Sequence, residues 1–238
     1  MSKIVLAWAV HAFTALGLLA AAAIAVLVVE GGDGQFTRAF QLMILATAID
    51  ALDGPLARYA HVHEVLPGFD GRRLDDLIDF LNYTCLPLLL IWRAQVLSGA
   101  QAWCLLVPLV ASAYGFSQAD AKTDDGFFLG FPSYWNVVAF YLYFLKLESW
   151  VSLGILLTLA ILTFVPIRYF YPTQPGFSNR LACVLAAIWG ALLVVILIMP
   201  AETRGPWLLA SLPFPLGYLV FSWWLNWARN RPSRSRVL

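Results

Sequence analysis

Charge is scarce in this sequence. Of its 238 residues only 12% are Asp, Glu, Lys or Arg, about half the share found in soluble domains. Hydrophobic residues make up 61% of the chain, and its mean hydropathy is +0.76. This composition excludes an ordinary soluble domain and indicates an integral membrane protein. The net charge of +1 and the lack of a basic domain give no reason to expect nucleic acid as a partner.

Cysteine is scarce as well. The three cysteines, Cys85, Cys104 and Cys183, lie in apolar segments and show no CxxC spacing. This pattern is not typical of a disulfide framework or a thiolate metal site, so we expect reduced residues that serve packing. Low-complexity tracts and a soluble domain are also lacking, and we therefore predict one integral membrane domain, residues 1–238.

Long apolar runs, by contrast, are abundant. A transmembrane helix needs about 20 apolar residues, and the sequence offers eight candidate segments, of which the fifth is short: 5–29, 37–60, 73–97, 102–121, 134–147, 150–167, 181–200 and 207–227. They predict an all-α polytopic membrane protein with about eight transmembrane helices. Most Lys and Arg residues fall on the side of the N-terminus, which predicts that both termini are cytoplasmic.

The few acidic residues are clustered. Half of the 14 acids lie within residues 47–80, TAIDALDGPLARYAHVHEVLPGFDGRRLDDLIDF. Asp50 and Asp53 are three residues apart and Asp75 and Asp79 are four apart, so each pair shares one face of a helix. Two antiparallel helices joined by a cytoplasmic loop would bring these carboxylates together, where unpaired charge is costly. A divalent cation would offset the repulsion, and oxygen ligands suit Mg²⁺, Mn²⁺ or Ca²⁺ better than zinc or copper.

Small and basic residues are interleaved with these acids. Gly54, Ala57 and Gly71 leave room for a ligand or another backbone to come close. Arg58 and Arg72 can meet phosphate oxygens. The local chemistry therefore indicates phosphoryl transfer at the membrane surface.

Other polar residues of this region have simpler interpretations. Asp70 and Asp76 are expected to be solvated or to cap a helix. His61 and His63, one residue apart in the loop, are more typical of solvated side chains than of metal ligands. His11 lies within the first apolar segment, where we expect it to pack or to form an interhelical hydrogen bond.

The acids and small residues form a recognisable pattern. D-x2-D-G-x2-A-R followed by G-x3-D-x3-D resembles the signature of the CDP-alcohol phosphotransferase family, and all eight signature residues are present: Asp50, Asp53, Gly54, Ala57, Arg58, Gly71, Asp75 and Asp79. The resemblance implies an enzyme that displaces CMP from a CDP-linked lipid with an alcohol. It also implies two bound Mn²⁺ or Mg²⁺ ions and a homodimer.

The resemblance also assigns roles to the signature residues. It implies that Asp50, Asp53 and Asp75 are metal ligands. It implies that Asp79 is the general base for the acceptor hydroxyl and also contacts metal. The nucleotide site is implied to be lined by the small residues and the arginine, namely Gly54, Ala57, Arg58 and Gly71.

One difference from the usual family signature indicates a particular subfamily. Twelve residues, 59–70, separate Arg58 from Gly71, more than in most of the family. The longer gap and the segment 121–142, AKTDDGFFLGFPSYWNVVAFYL, are similar to bacterial phosphatidylcholine synthases. This implies CDP-diacylglycerol and choline as substrates, CMP as a product, and membrane lipids of the bacterial inner membrane as surroundings. Two alternatives stay open: a family enzyme that uses serine, inositol or glycerol phosphate, and a cation transporter whose carboxylates form an ion path.

Choline would need a site for a permanent cation, and such groups usually bind on aromatic faces. Tyr83 continues the helix face of the second acidic pair, and Tyr134 and Trp135 begin the fifth apolar segment. These three residues are predicted to bind choline, and Asp124 and Asp125 to add negative charge. The alternative is that the aromatic residues anchor helix ends at the membrane interface.

Two arginines are candidates for holding the lipid diphosphate. Arg168 follows the sixth apolar segment and Arg180 precedes the seventh, both on the predicted cytoplasmic side. They are predicted either to bind the diphosphate of CDP-diacylglycerol or only to mark the membrane boundary.

Overall fold

The structure is a computed structural model that describes residues 3–118, 127–170 and 177–229. Its first half contains the helices α1 (Lys3–Glu30), α2 (Asp33–Tyr59), α3 (Val62–Val65), α4 (Gly71–Asp79) and α5 (Leu86–Arg93). A π-helical turn, Phe80–Cys85, joins α4 and α5 into one helical stretch. Its second half contains a 3₁₀ segment, Gly99–Leu105, followed by α6 (Leu106–Ser117), α7 (Trp135–Leu145), α8 (Ser149–Phe164), α9 (Phe177–Ile198), α10 (Arg204–Ser211) and α11 (Pro213–Arg229).

The bundle begins with a tight hairpin of α1 and α2. α1 has 28 mainly apolar residues, so it extends about 42 Å, more than the roughly 30 Å of a bilayer's hydrocarbon core. Gly31 and Gly32 turn the chain with φ of 73° and 93°, a region that favours glycine because it has no Cβ. Arg93, at the end of α5, donates from Nε to the carbonyl of Val29 at 3.4 Å and thereby holds α5 against this turn.

Five helical stretches of the described residues are long and apolar enough to cross a membrane: Lys3–Glu30, Asp33–Tyr59, Gly99–Ser117, Leu181–Ile198 and Ala201–Ala228. Many large apolar side chains on their outer surfaces are exposed, among them Leu19, Ile188 and Val220. A continuous apolar exterior suits contact with lipid. The predicted class, an all-α polytopic membrane protein, is confirmed.

Each of the eight predicted segments coincides with a helical stretch, although their lengths differ. The third, predicted as 73–97, is helical from Gly71 to Arg93 and contains the π-helical turn. α7 has 11 residues and α8 has 16. At 1.5 Å per residue they reach about 17 and 24 Å, too short to cross the hydrocarbon core alone. The eighth is divided into α10 and α11 at Pro213, because proline lacks the N–H that would continue the helix.

A short β-ribbon is an element that the sequence did not predict. β1 (Phe127–Leu129) pairs antiparallel with β2 (Arg168–Phe170), which places Leu129 opposite Arg168. Because β1 precedes α7 and β2 follows α8, the ribbon closes the open end of this helical hairpin. Strands of three residues are too short to give a readable alternation of polar and apolar residues. Arg168 therefore lies in a strand and not at the end of a helix.

The hydrophobic core lies where α2, α5, α7, α8 and α9 meet. The large side chains that are less than 2% exposed include one from each, namely Phe40, Leu90, Trp135, Leu156 and Ile196. The rings of Phe40 and Phe140 meet edge to face with centroids 5.6 Å apart, a favourable geometry for aromatic pairs. The later helices thus form a scaffold against which α2 is packed.

Gly31→Ala tests the hairpin turn. A Cβ at this position would lie 2.6 Å from Nη2 of Arg93, and the φ of 73° is strained for any residue with a side chain. We expect the free energy of unfolding to fall by about 1–3 kcal/mol, measured as a lower thermal unfolding midpoint in detergent micelles.

Gly34→Ala is the matched control for this variant. A Cβ on Gly34 would have no atom within 4 Å, and alanine is favoured over glycine inside a helix. Its midpoint should therefore be unchanged or higher. Equal midpoints for Gly31→Ala and Gly34→Ala would contradict the role given to Gly31.

Candidate active site

Three helices enclose a small pocket that contains the four predicted carboxylates. Asp50 and Asp53 lie toward the C-terminal end of α2, and Asp75 and Asp79 lie in α4. α1 provides the third wall. The residues that line the pocket are Thr14, Gly17, Ala46, Ile49, Asp50, Asp53, Asp75, Ile78, Asp79, Asn82 and Tyr83.

Three of these carboxylates are close enough to share an ion. Asp50, Asp75 and Asp79 are half-buried and each offers an oxygen, and these oxygens all lie within 4.8 Å of one another. Asp53 lines the same pocket and is only 6% exposed, but it is not one of this set of three. Negative charges at such spacing repel strongly in apolar surroundings. Carboxylate oxygens are the ligands that Mg²⁺ and Mn²⁺ prefer, so the set fits a divalent cation.

The π-helical turn after Asp79 determines which side chain faces Asp50. Such a turn holds more residues than an α-helical turn, and it is frequent at functional sites. Here it directs Asn82, Tyr83 and Thr84 into the protein, where all three are buried. The Tyr83 hydroxyl donates a hydrogen bond to Oδ2 of Asp50 at 2.7 Å, which orients this carboxylate.

Asn82 ties α1 to the same site. Its Nδ2 donates to the carbonyls of Gly17 and Ile78, each at 3.1 Å. α1 approaches so closely that a Cβ on Gly17 would lie 2.7 Å from Cγ2 of Ile78. The sequence did not predict this wall, because the signature covers only residues 50–79. A glycine within a long apolar helix was the one signal that α1 packs closely against a neighbour.

Gly71 allows α1 to pack closely against the start of α4. It follows Asp70, whose Oδ1 accepts a hydrogen bond from the backbone N–H of Arg73 at 3.1 Å, so Asp70 caps the helix as expected. A Cβ on Gly71 would lie 2.5 Å from Cε1 of His11. Any residue larger than glycine would therefore displace the imidazole.

The other residues predicted to line the nucleotide site lie along α2. A Cβ on Gly54 would meet only Nη1 of Arg58, at 3.5 Å, so there is open space beside this glycine. Arg58 is exposed and Ala57 is half-buried. Open space beside an exposed guanidinium is what a phosphate group needs, and the nucleotide role of these residues stays a prediction.

The long gap of the signature folds back onto α1. Its apolar residues pack on the N-terminal end of that helix, and we call the buried members of this contact the loop cluster: Ala7, Val10, Ala60 and Val62. His61 and His63 are exposed, and Nδ1 of His61 lies 3.6 Å from the carboxylate of Glu64. These two histidines face solvent, as expected, and the additional residues cover the start of α1.

The aromatic residues predicted to bind choline occupy different surroundings. The rings of Tyr83 and Tyr134 meet edge to face with centroids 6.4 Å apart, and the ring of Tyr218 in α11 lies 6.1 Å from that of Tyr134. Trp135 is 0% exposed, and its Nε1 donates to Oγ of Ser112 at 2.6 Å. It is a core residue with no face open to a ligand, which corrects the prediction that it binds choline.

The remaining predicted binding residues are not part of the pocket lining or lie outside the described part of the chain. Arg168 is half-buried in β2 and does not line the pocket. Asp124, Asp125 and the side chain of Arg180 lie outside what the structure describes.

The pocket lies within a region that matches a known family. Residues 9–166 match the model of the CDP-alcohol phosphatidyltransferase family. The chain belongs to this family. The match includes most of α1 and the π-helical turn as well as the signature, so every residue that lines the pocket is part of it.

Similar proteins span most of this CDP-alcohol phosphatidyltransferase. It is 38% identical to a protein of Pseudomonas aeruginosa, over 87% of this chain and 88% of the relative. It is 36% identical to a protein of Legionella pneumophila over 92% and 88%, and 32% identical to one of Borreliella burgdorferi over 85% and 86%. All three relatives are named phosphatidylcholine synthase. The similarity therefore extends well beyond the signature.

Tyr83→Phe tests the hydrogen bond to Asp50. The variant keeps the ring and removes the hydroxyl that orients the carboxylate. Loss of such a partner of a metal ligand weakens metal affinity about 10–100-fold. We expect the Mn²⁺ concentration for half-maximal CMP release to rise at least about tenfold. Tyr114→Phe is the control, because Tyr114 is exposed and does not line the pocket; a metal requirement equal in the two variants would refute this role.

Proposed function

We propose that this protein is a phosphatidylcholine synthase, which transfers the phosphatidyl group of CDP-diacylglycerol to choline and releases CMP. The observation that carries the proposal is the pocket between α1, α2 and α4, where three carboxylate oxygens lie within 4.8 Å of one another. Choline as the acceptor is supported by the names of relatives that align over most of the chain.

The proposed cofactors are two Mn²⁺ or Mg²⁺ ions, held by Asp50, Asp53, Asp75 and Asp79. Four carboxylates provide enough oxygen ligands for two ions that also contact phosphate. When bound, the ions would neutralise the diphosphate of the lipid and the charge on the departing CMP. The chain's own part is to hold the carboxylates at short spacing, for which the hydrogen bond from Tyr83 to Asp50 is one means.

Asp79 is the proposed general base. Its carboxylate takes the proton of the choline hydroxyl, and the choline oxygen forms a bond to the phosphorus of the phosphatidyl group. The bond from that phosphorus to the oxygen of CMP breaks, and CMP leaves with the electron pair. Gly54, Ala57, Arg58 and Gly71 are proposed to line the nucleotide site, where the guanidinium pairs with phosphate.

The proposed acceptor site is aromatic. Choline is a permanent cation without N–H donors, so aromatic faces suit it, each contributing about 0.5–2 kcal/mol. Tyr83 lines the pocket together with Asp79 and meets the ring of Tyr134, which supports a choline site at these two rings.

Arg168 is proposed to pair with the lipid diphosphate.

The proposed location is the bacterial inner membrane, with both termini and the pocket on the cytoplasmic side. The excess of Lys and Arg on the side of the N-terminus supports this orientation. Arg58, Arg72 and Arg73 are exposed near the pocket end of α2 and α4, as expected for a cytoplasmic boundary. The homodimer implied by the family resemblance stays a prediction.

Release of CMP with a series of acceptors tests the proposed function. Purified protein with CDP-diacylglycerol and Mn²⁺ is expected to release CMP fastest with choline, less with dimethylethanolamine and least with ethanolamine, because each lost methyl group weakens the aromatic contact. Serine, inositol and glycerol phosphate should give only background release. A preference for one of these three would identify another acceptor. Cation flux into liposomes without CMP release would favour a transporter.

Single substitutions test the carboxylates. Asp75→Ala is expected to abolish CMP release in folded protein, and excess chelator should do the same to the unaltered chain. Asp79→Asn should lower the turnover number about 10²–10⁴-fold, the usual contribution of a general base. Asp76→Asn is the matched control, since Asp76 lies beside Asp75 but does not line the pocket. Wild-type turnover in Asp79→Asn would exclude it as the base, and full activity in chelator would exclude the metal.

A further inference from the structure

His11 of α1 has surroundings that the signature does not explain. Its side chain is 6% exposed, and its Nε2 is buried with no hydrogen-bond partner among the described residues. A buried polar atom without a partner costs about 1–3 kcal/mol, so in a native protein such an atom needs an explanation, for example a functional role or a bound water or ion. His11 lies on the same buried face of α1 as Thr14 and Gly17, which line the carboxylate pocket.

Three contacts hold the imidazole at the meeting point of α1, α4 and the long gap of the signature. Its Cε1 edge faces Gly71, where a Cβ would lie only 2.5 Å away. Its ring centroid is 4.4 Å from that of Phe69 and 5.9 Å from that of Trp8. Phe69 belongs to residues 59–70, the segment that is longer than in most of the family. This segment therefore packs on α1 through the loop cluster and covers the histidine with an aromatic ring.

The nitrogen of a neutral imidazole donates or accepts one hydrogen bond, so a neutral polar group suits it as a partner. Of the two substrates, choline has a single hydrogen-bonding group, its hydroxyl, and that group is needed at Asp79. The CDP group of the lipid carries ribose hydroxyls and the polar edge of cytosine. Gly71 is proposed above to line the nucleotide site, and a Cβ on Gly71 would lie 3.6 Å from Nε2 of His11. A cytidine bound beside Gly71 would therefore lie near this nitrogen.

We propose that His11 forms a hydrogen bond with the cytidine of CDP-diacylglycerol and that residues 59–70 hold it in place for this contact. This inference rests on the proposed function, because it takes the CDP group as the ligand. It gives the longer gap a role in substrate binding, and it adds α1 to the nucleotide site.

His11→Phe is the test variant, because it keeps an aromatic ring beside Phe69 and removes both nitrogens. We expect the Kd of CMP, measured by calorimetry with Mn²⁺ present, and the KM for CDP-diacylglycerol to rise about tenfold, the scale of one buried hydrogen bond. The KM for choline should not change. His11→Gln retains a polar group and should recover part of the affinity. His63→Phe is the matched control, since His63 is an exposed histidine of the same segment, and it should bind CMP normally.

The outcomes separate the inference from the proposed function. Wild-type protein that binds CMP but transfers nothing to choline would refute the acceptor, and a higher CMP Kd in His11→Phe would still support the His11 contact. CMP affinity unchanged in His11→Phe would overturn the contact. The contact would also be overturned if His11→Phe raised the KM for CDP-diacylglycerol and the KM for choline equally and unfolded at a lower temperature. That result would show that His11 only packs. If His11→Phe does not fold, the CMP affinities of His11→Gln and His11→Ala provide the test. Wild-type CMP affinity in both variants would overturn the His11 contact.

Discussion

Repulsion among carboxylates gathered in an apolar bundle is the constraint on which the rest of the structure depends. Charges of one sign a few ångströms apart in a medium of low dielectric constant push the helices that carry them apart. The helices stay together through neutral contacts instead. Gly17 lets α1 approach α4, and Asn82 bonds two carbonyls at 3.1 Å. The site is therefore assembled by packing and hydrogen bonds, which hold the acids at a spacing that suits a divalent cation.

The π-helical turn gives these neutral contacts their geometry. Because it holds more residues than an α-helical turn, consecutive side chains after Asp79 can be buried toward different helices. Asn82 reaches α1 and Tyr83 reaches Asp50 on α2. The π-helical turn thus connects the three walls of the pocket. The regular helix α5 that follows it packs against α7 in the core.

The sequence predicted the acid-bearing walls of the site well. Spacings of three and four residues report directly which side chains share a helix face, so the positions of Asp50, Asp53, Asp75 and Asp79 could be inferred without a structure. The wall formed by α1 could not. Apart from Gly17, its small and apolar residues give no pattern that distinguishes a face in contact with protein from one in contact with lipid.

The other differences between the sequence-based predictions and the structure also have physical causes. Trp135 was predicted to bind choline because aromatic faces suit a permanent cation and because this residue begins the fifth apolar segment. Whether it turns outward or into the core depends on tertiary contacts, here the hydrogen bond to Ser112. The β-ribbon depends on pairing between segments about 40 residues apart, which local pattern does not encode. Length alone separates α7 and α8 from the helices that can cross the bilayer.

The position of the pocket along the chain affects how the protein is made. All of its lining residues lie between Thr14 and Tyr83, and its walls come from three of the first four helices. Contacts within this N-terminal part close shorter loops than contacts with the later helices, and a shorter loop loses less chain entropy on closing. Chains also fold from the N-terminus while synthesis continues. The carboxylate site can therefore assemble while α6 to α11 are still on the ribosome, so that the later helices are added to a site already in place.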